Sequence, residues 1–214
     1  MRGKLVQAAA VLFLSLSVAG CTFIVQKGRR SDVRKIEELS SQLDELNRIR
    51  RLLEESLSKE IADKEVRLQM MEKGLVITFV ADVLFDSGKA KIKQEAYPAL
   101  GKVALVLKEN VPQLNVGIEG HTDNQPIQFS NWKSNWELSS ARALSVLHRL
   151  VDSEGISPER LSAIGYGEYK PVASNDASDS RKLNRRVEIV ILPQVTKVKA
   201  AQKREVLEPE ENLK

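Results

Sequence analysis

The spacing of the apolar residues changes at Gly74, and that change divides the chain. Upstream, Ile36, Leu39, Leu43, Leu46, Leu53 and Leu57 follow the a and d positions of a heptad, with Arg50 breaking one site. Ile49, Leu52 and Ile61 widen the stripe, and charges fill the remaining positions. Downstream, Leu75-Val76-Ile77-Thr78-Phe79-Val80 reads as a strand. A helical period cannot continue as a strand period. Residues 36–73 are therefore expected to form a helical or coiled-coil spacer, and 74–193 a separate folded domain. A heptad stripe can pack on a second copy, on an envelope protein or on the domain, and spacing leaves all three open.

Within 74–193 the pattern alternates. After the first strand, Val83-Leu84-Phe85 leads into the turn Asp86-Ser87-Gly88. Ile92, Ala96, Leu100, Val103 and Leu107 recur at helical spacing until Asn110 and Pro112. Leu114, Val116 and Ile118 alternate with polar residues as a second strand, which ends in Gly120-His121-Thr122-Asp123. Ser134-Asn135-Trp136-Glu137 has the form of a capping box and opens a helix carrying Leu138, Ala141, Leu144 and Leu147, which Gly155 ends. Leu161–Gly165 and Val187–Ile191 supply the last two strands. The order β-α-β-α-β-β predicts an α/β (α+β) domain: a small mixed four-stranded sheet with two main helices on one face, preceded by the long helix.

The N-terminus carries a different signal. Met1-Arg2-Gly3-Lys4 is a short basic segment, and the apolar run from Leu5 to Gly20 is too short for a membrane span. It closes on Val18-Ala19-Gly20-Cys21, where Cys21 is the single cysteine of the chain. These residues resemble the lipobox of bacterial lipoproteins. The resemblance implies a signal peptide over 1–20, cleavage before Cys21, lipidation of its thiol and a lipid anchor in the membrane. Thr22 rather than Asp after the cysteine points to the outer membrane, on its periplasmic face. The competing reading is an incidental cysteine after an uncleaved apolar helix. Residues 21–35 read as the lipidated cysteine and a flexible basic tether, and 194–214 as a disordered tail.

Five ordered motifs in the domain resemble those of the OmpA C-terminal family: Phe85-Asp86-Ser87-Gly88, Gly120-His121-Thr122-Asp123, Leu138-Ser139-Ser140-Ala141-Arg142-Ala143, Gly165-Tyr166-Gly167 and Asn184-Arg185-Arg186-Val187-Glu188. That family includes the Pal lipoprotein and the flagellar stator protein MotB, and its domains bind peptidoglycan non-covalently. Ser134 to Ser139 and the long loop before them look most like the MotB branch, whereas the lipobox looks like Pal.

Asn135 and Arg142 stand seven residues apart, which places both on one helix face. Asp123, at the end of the second strand, can approach that face through the loop. An acceptor-only carboxylate beside a guanidinium fork suits a zwitterion, the carboxylate receiving an ammonium and the guanidinium a second carboxylate. Spacing alone favours a structural salt bridge between Asp123 and Arg142, and the motif set favours a pocket. By resemblance, Asp123, Asn135 and Arg142 hold the meso-diaminopimelate of the peptidoglycan stem peptide, with Asp86 and Thr122 lining the same pocket. One of Arg185 and Arg186 faces the pocket or pins a loop while the other is solvated; Arg185 is counted with the site. Trp132 and Trp136 are either a carbohydrate-facing surface or the packing of the inserted loop. His121 reads as structural.

Other classes are disfavoured. The formal charge is +4, but 74–193 carries fourteen basic and fourteen acidic residues, so no nucleic-acid partner is expected. A lone lipobox cysteine, two histidines and no glycine-rich phosphate loop argue against an enzyme, a cofactor or a metal. The competing function is an envelope-complex scaffold, of Tol-Pal, stator or secretion-machine type, whose helix 36–73 is the main interaction site.

Overall fold

In the computed structural model, which describes residues 32–127 and 131–194, two compact units are distinguished, Met1–Glu45 and Leu46–Lys214. The expected leader, Cys21, the tether as far as residue 31 and the tail from residue 195 lie outside the described residues. Helix α1 (32–56) begins within the segment expected to be a flexible tether, so residues 32–35 are helical. None of the described helices is long and apolar enough to cross a membrane.

In the first unit the heptad residues face solvent: Ile36 is 65% exposed, Leu39 56% and Leu43 52%. In the second unit the same repeat is buried. Leu46, Ile49, Leu53 and Leu57 join one hydrophobic cluster with the inward side chains of the sheet and with Leu100, Val103 and Leu107 of helix α4 (Tyr97–Glu109). Polar contacts follow the apolar ones. Arg48 donates to the Asn110 side chain at 3.2 Å, and Lys102 donates to Glu60 of the short helix α2 (Ser58–Ala62) at 2.7 Å.

The sheet has five strands, one more than the sequence led us to expect. Strand β1 (Val66–Met71) falls inside the expected spacer. It pairs antiparallel with β2 (Gly74–Val80) across a two-residue turn, with Met71 opposite Gly74. Val66, Leu68 and Met70 alternate with Arg67, Gln69 and Met71, so the strand period was present in the sequence. Lys64, at φ 59°, turns the chain out of α2 and into β1.

After β2 come the one-turn helix α3 (Ala81–Leu84), α4, and β3 (Val116–His121). Helix α5 (Asn135–His148) then leads to β4 (Leu161–Gly165), and α6 (Ser178–Asn184) to β5 (Arg186–Ile191). The strand order is β1-β2-β5-β3-β4, with β3 and β4 parallel and the other pairs antiparallel. The last strand thus inserts between β2 and β3. Leu75, Ile77, Phe79, Val116, Ile118, Val187 and Ile189 face the helices and form the core. The mixed α+β class and the two main helices stand as expected, with the sheet extended by β1.

Helix α5 lies very close to β3 and β4, and glycines permit this. A Cβ on Gly120 would fall 2.1 Å from the Ser139 carbonyl oxygen, and one on Gly165 would fall 2.5 Å from the Ser140 backbone nitrogen. This approach brings the first turn of α5 beside the loop that leaves β3.

Candidate functional site

The capping box forms in part. The Ser134 hydroxyl accepts from the Glu137 backbone N–H at 3.4 Å, while the Glu137 carboxylate accepts from the Lys133 N–H at 2.9 Å rather than from residue 134. This fixes the start of α5 and places Asn135 in its first turn. The Asn135 side chain donates to Glu168 at 2.7 Å and to the Gln125 carbonyl at 3.1 Å, tying the helix start to two loops.

Seven residues on, Arg142 lies on the same face and is buried. Its Nε donates to the Lys89 carbonyl at 3.0 Å, and its guanidinium sits over the Phe85 ring, 5.1 Å from the centroid. Burial pulls its pKa down to about 10; Asp82 and Asp123 oppose that effect and Arg185 adds to it. It therefore remains a cation at neutral pH. Only Nε is used among the hydrogen bonds found in the described residues, so the terminal nitrogens are left as donors.

Asp123 is buried in the loop after β3, but its ion-pair partner is not Arg142. Oδ2 accepts from Arg185 at 2.9 Å, and Oδ1 accepts from the Gln125 N–H at 3.2 Å. The other terminal nitrogen of Arg185 reaches Asp82 at 2.9 Å. Its two carboxylates hold the Arg185 guanidinium above its ordinary pKa against the opposing effect of burial. Arg185 is therefore a strut that fixes Asp123 from behind, in contact with the site but outside the cavity wall.

Thr122, Asp123, Asn135, Leu138 and Arg142, with Ser87 and Gly88 opposite, line a cavity of about 290 Å³. The Thr122 hydroxyl is buried there without a hydrogen-bond partner. A carboxylate, an unpaired hydroxyl and a guanidinium with spare donors thus meet in one small, half-apolar space. Such a space suits the charged head group of an amino acid.

Two expectations change. Asp86 is exposed, pairs with Lys89 at 2.9 Å, which draws its pKa below the usual carboxylate range, and does not line the cavity. Arg186 is not solvated. It is buried on the other face of the sheet, donating to Glu188 at 2.6 Å and to the Lys170 carbonyl. The tryptophans separate as well. Trp132 donates to the Gly88 carbonyl at 2.8 Å, whereas the exposed Trp136 stacks on Tyr169 at 5.1 Å. Asp82 and Glu168 carry no motif and were missed. Only the tertiary fold brings them to Arg185 and Asn135.

Comparison with known proteins relates this domain to a family. Residues 84–185 match the OmpA family. Motility protein B of Bacillus subtilis (strain 168) is 40% identical over 150 residues, covering 70% of this chain and 57% of its own length. The chain therefore spans little more than half of that relative. Among solved structures, the cell wall anchor of the T6SS from Pseudomonas aeruginosa is 34% identical with a TM-score of 0.60, covering 66% of this chain and 97% of its own. The periplasmic domain of Helicobacter pylori MotB is 26% identical with a TM-score of 0.59, covering 69% of this chain and 93% of its own. With the family match over residues 84–185 and a solved relative at 34% identity covered over 97% of its length, the chain belongs to the OmpA family through the domain that contains those residues.

Proposed function

We propose that this domain binds peptidoglycan non-covalently by its stem peptide, with Asp123 receiving the ammonium and Arg142 the carboxylate of meso-diaminopimelate. The observation that carries this reading is the cavity itself, which presents opposite charges that are not bonded to each other. Thr122 supplies a hydroxyl to the same ligand, Asn135 holds the rim, and Arg185 keeps Asp123 aimed. The role is adhesive rather than catalytic. Anchoring is assigned to Cys21, lipidated after cleavage of the leader, which would place the domain on the periplasmic face of the outer membrane. Several acyl chains would be needed for stable attachment.

Calorimetry of the full chain with a diaminopimelate stem peptide, and with a lysine peptide lacking the second carboxylate, tests the assignment. Asp123→Ala and Arg142→Ala should each weaken binding roughly ten- to a hundred-fold, since each removes charge-assisted hydrogen bonds worth about 1.5–3 kcal/mol. Equal affinity for the two peptides would remove diaminopimelate from the reading. Cys21→Ala should leave the leader uncleaved and the chain without acyl label.

The exposed stripe Ile36, Leu39 and Leu43 favours a second role beside the first. As an envelope scaffold, the chain would use this stripe for a protein partner or a second copy while the domain holds the wall. This fits a relative described as a cell wall anchor of the T6SS.

A further inference from the structure

The face of the sheet turned away from the helices carries a polar cluster with no part in the cavity described above. Glu119 of β3 and Glu188 of β5 stand directly opposite each other in register, and both are buried, 8% and 5% exposed. Like charges in a cross-strand pair repel, so this pair needs a cation. Lys73, from the β1–β2 turn, supplies one, donating to Glu119 at 2.6 Å and to Glu188 at 2.7 Å. Arg186 takes the other oxygen of Glu188.

His121 completes the cluster. It lies two residues beyond Glu119 on the same face of β3 and is 2% exposed, stacked on Tyr166 at 5.2 Å. Both of its ring nitrogens are buried without a hydrogen-bond partner. Its Nε2 is 3.8 Å from the Glu119 carboxylate, too far for a hydrogen bond. An imidazole with neither nitrogen satisfied is costly in an interior and needs an explanation. One ligand atom each from Glu119, His121 and Glu188 lies within 4.8 Å of the others, beside a cavity of about 470 Å³.

We propose that Glu119, His121 and Glu188 form a binding site for a divalent metal ion of the zinc type, and that Lys73 is the resident cation which such an ion displaces. One imidazole nitrogen and two carboxylate oxygens are a donor set that zinc accepts, with bond lengths of about 2.0–2.2 Å, and water can complete the coordination. The three atoms must draw together by a fraction of their present separation. Departure of the Lys73 ammonium from between the two carboxylates permits that movement. Lys73 can leave because its side chain is about a third exposed and sits on a two-residue turn. Arg186 stays on the far oxygen of Glu188 and orients that carboxylate as an outer partner of the ion. Metal and lysine are thus alternative occupants of one place, and the ion would clamp β3 to β5 where the lysine now clamps both to the β1–β2 turn.

The test uses the full chain with Cys21→Ser, so that its only thiol cannot bind metal, titrated with Zn²⁺ against a chromophoric chelator and with Co²⁺ by visible absorption. Lys73→Met should bind one equivalent about tenfold or more tighter than the chain that keeps the lysine, because the competitor is gone. Adding His121→Gln or Glu188→Gln to Lys73→Met should lose roughly ten- to a hundred-fold. His148→Gln should change nothing; His148 pairs with Asp152 at 3.6 Å on the surface and is the other histidine available. A folded Lys73→Met chain that binds no tighter, or binding lost with His148→Gln and kept with His121→Gln, overturns the proposal. If Lys73→Met does not fold, the Lys73 chain decides by NMR. Saturating Zn²⁺ should shift the His121 ring resonances, and a shift confined to His148 overturns the site.

Discussion

One apolar repeat meets two fates in this chain. In 36–43 its residues are exposed, and in 46–57 they are buried against α4 and the sheet. Burying a leucine or isoleucine side chain contributes on the order of 1.5–3 kcal/mol, so the docked half belongs energetically to the domain. The spacing of the leucines does not distinguish the two halves. What differs is burial: α4 and the sheet supply a complementary apolar surface to 46–57, whereas the side chains of Ile36, Leu39 and Leu43 are exposed. Heptad spacing therefore reports that an apolar stripe exists, not what covers it.

The largest effect should come from cutting the chain inside that difference. A 46–194 fragment keeps the buried half of α1 and strand β1, whereas 74–193 loses both and uncovers the edge of β2. The longer fragment should melt cooperatively and give a dispersed NMR spectrum, and the shorter one should do neither. Equal melting of the two would show that the docked helix is only decoration and would erase the contrast.

A finer probe compares single positions. Leu53→Ala removes a fully buried side chain and should cost about 2–5 kcal/mol in urea unfolding of the full chain. Leu39→Ala should change dilute-protein stability by no more than about 0.5 kcal/mol. A comparable loss at Leu39 that grows with protein concentration would reveal a second copy on the exposed half.

How much of this was legible in the sequence depends on the range of the interaction that decides each feature. Strands β2, β4 and β5, the Ser134 cap and the phase of Asn135 with Arg142 are local, and the sequence showed them. Strand β1 also alternates, but it is six residues long and follows directly on a helical repeat. Only its pairing with β2 resolves that ambiguity. For Asp123 and Arg142, spacing alone offers a salt bridge and the motif set a pocket; both line one cavity, and no ion pair joins them among the described residues. Arg185 takes the carboxylate instead, and its other partner, Asp82, lies 103 residues away. The Glu119–Glu188 pair has the same character. Neither residue advertises the other until the last strand inserts between β2 and β3.

The smallest expected effect concerns the ion pair that accompanies the docked half. Glu60 accepts from Lys102 at 2.7 Å; burial acts to raise the carboxyl pKa, the Lys102 hydrogen bond and charge act to lower it, and the net shift is downward. A carboxylate with a lowered folded-state pKa stabilises the fold above its unfolded value of about 4.3, and that contribution fades as pH falls through the lower folded value. Lys102 is more than a third exposed, so the pair is worth only about 0.2–1 kcal/mol. Urea unfolding of the wild-type and Glu60→Gln chains should therefore differ by that amount at about pH 7 and converge as pH falls through the lowered folded-state value. A difference that widened on acidification would mean that Glu60 is stabilised in its protonated form. The polar contact would then work against the docking of this helix rather than with it.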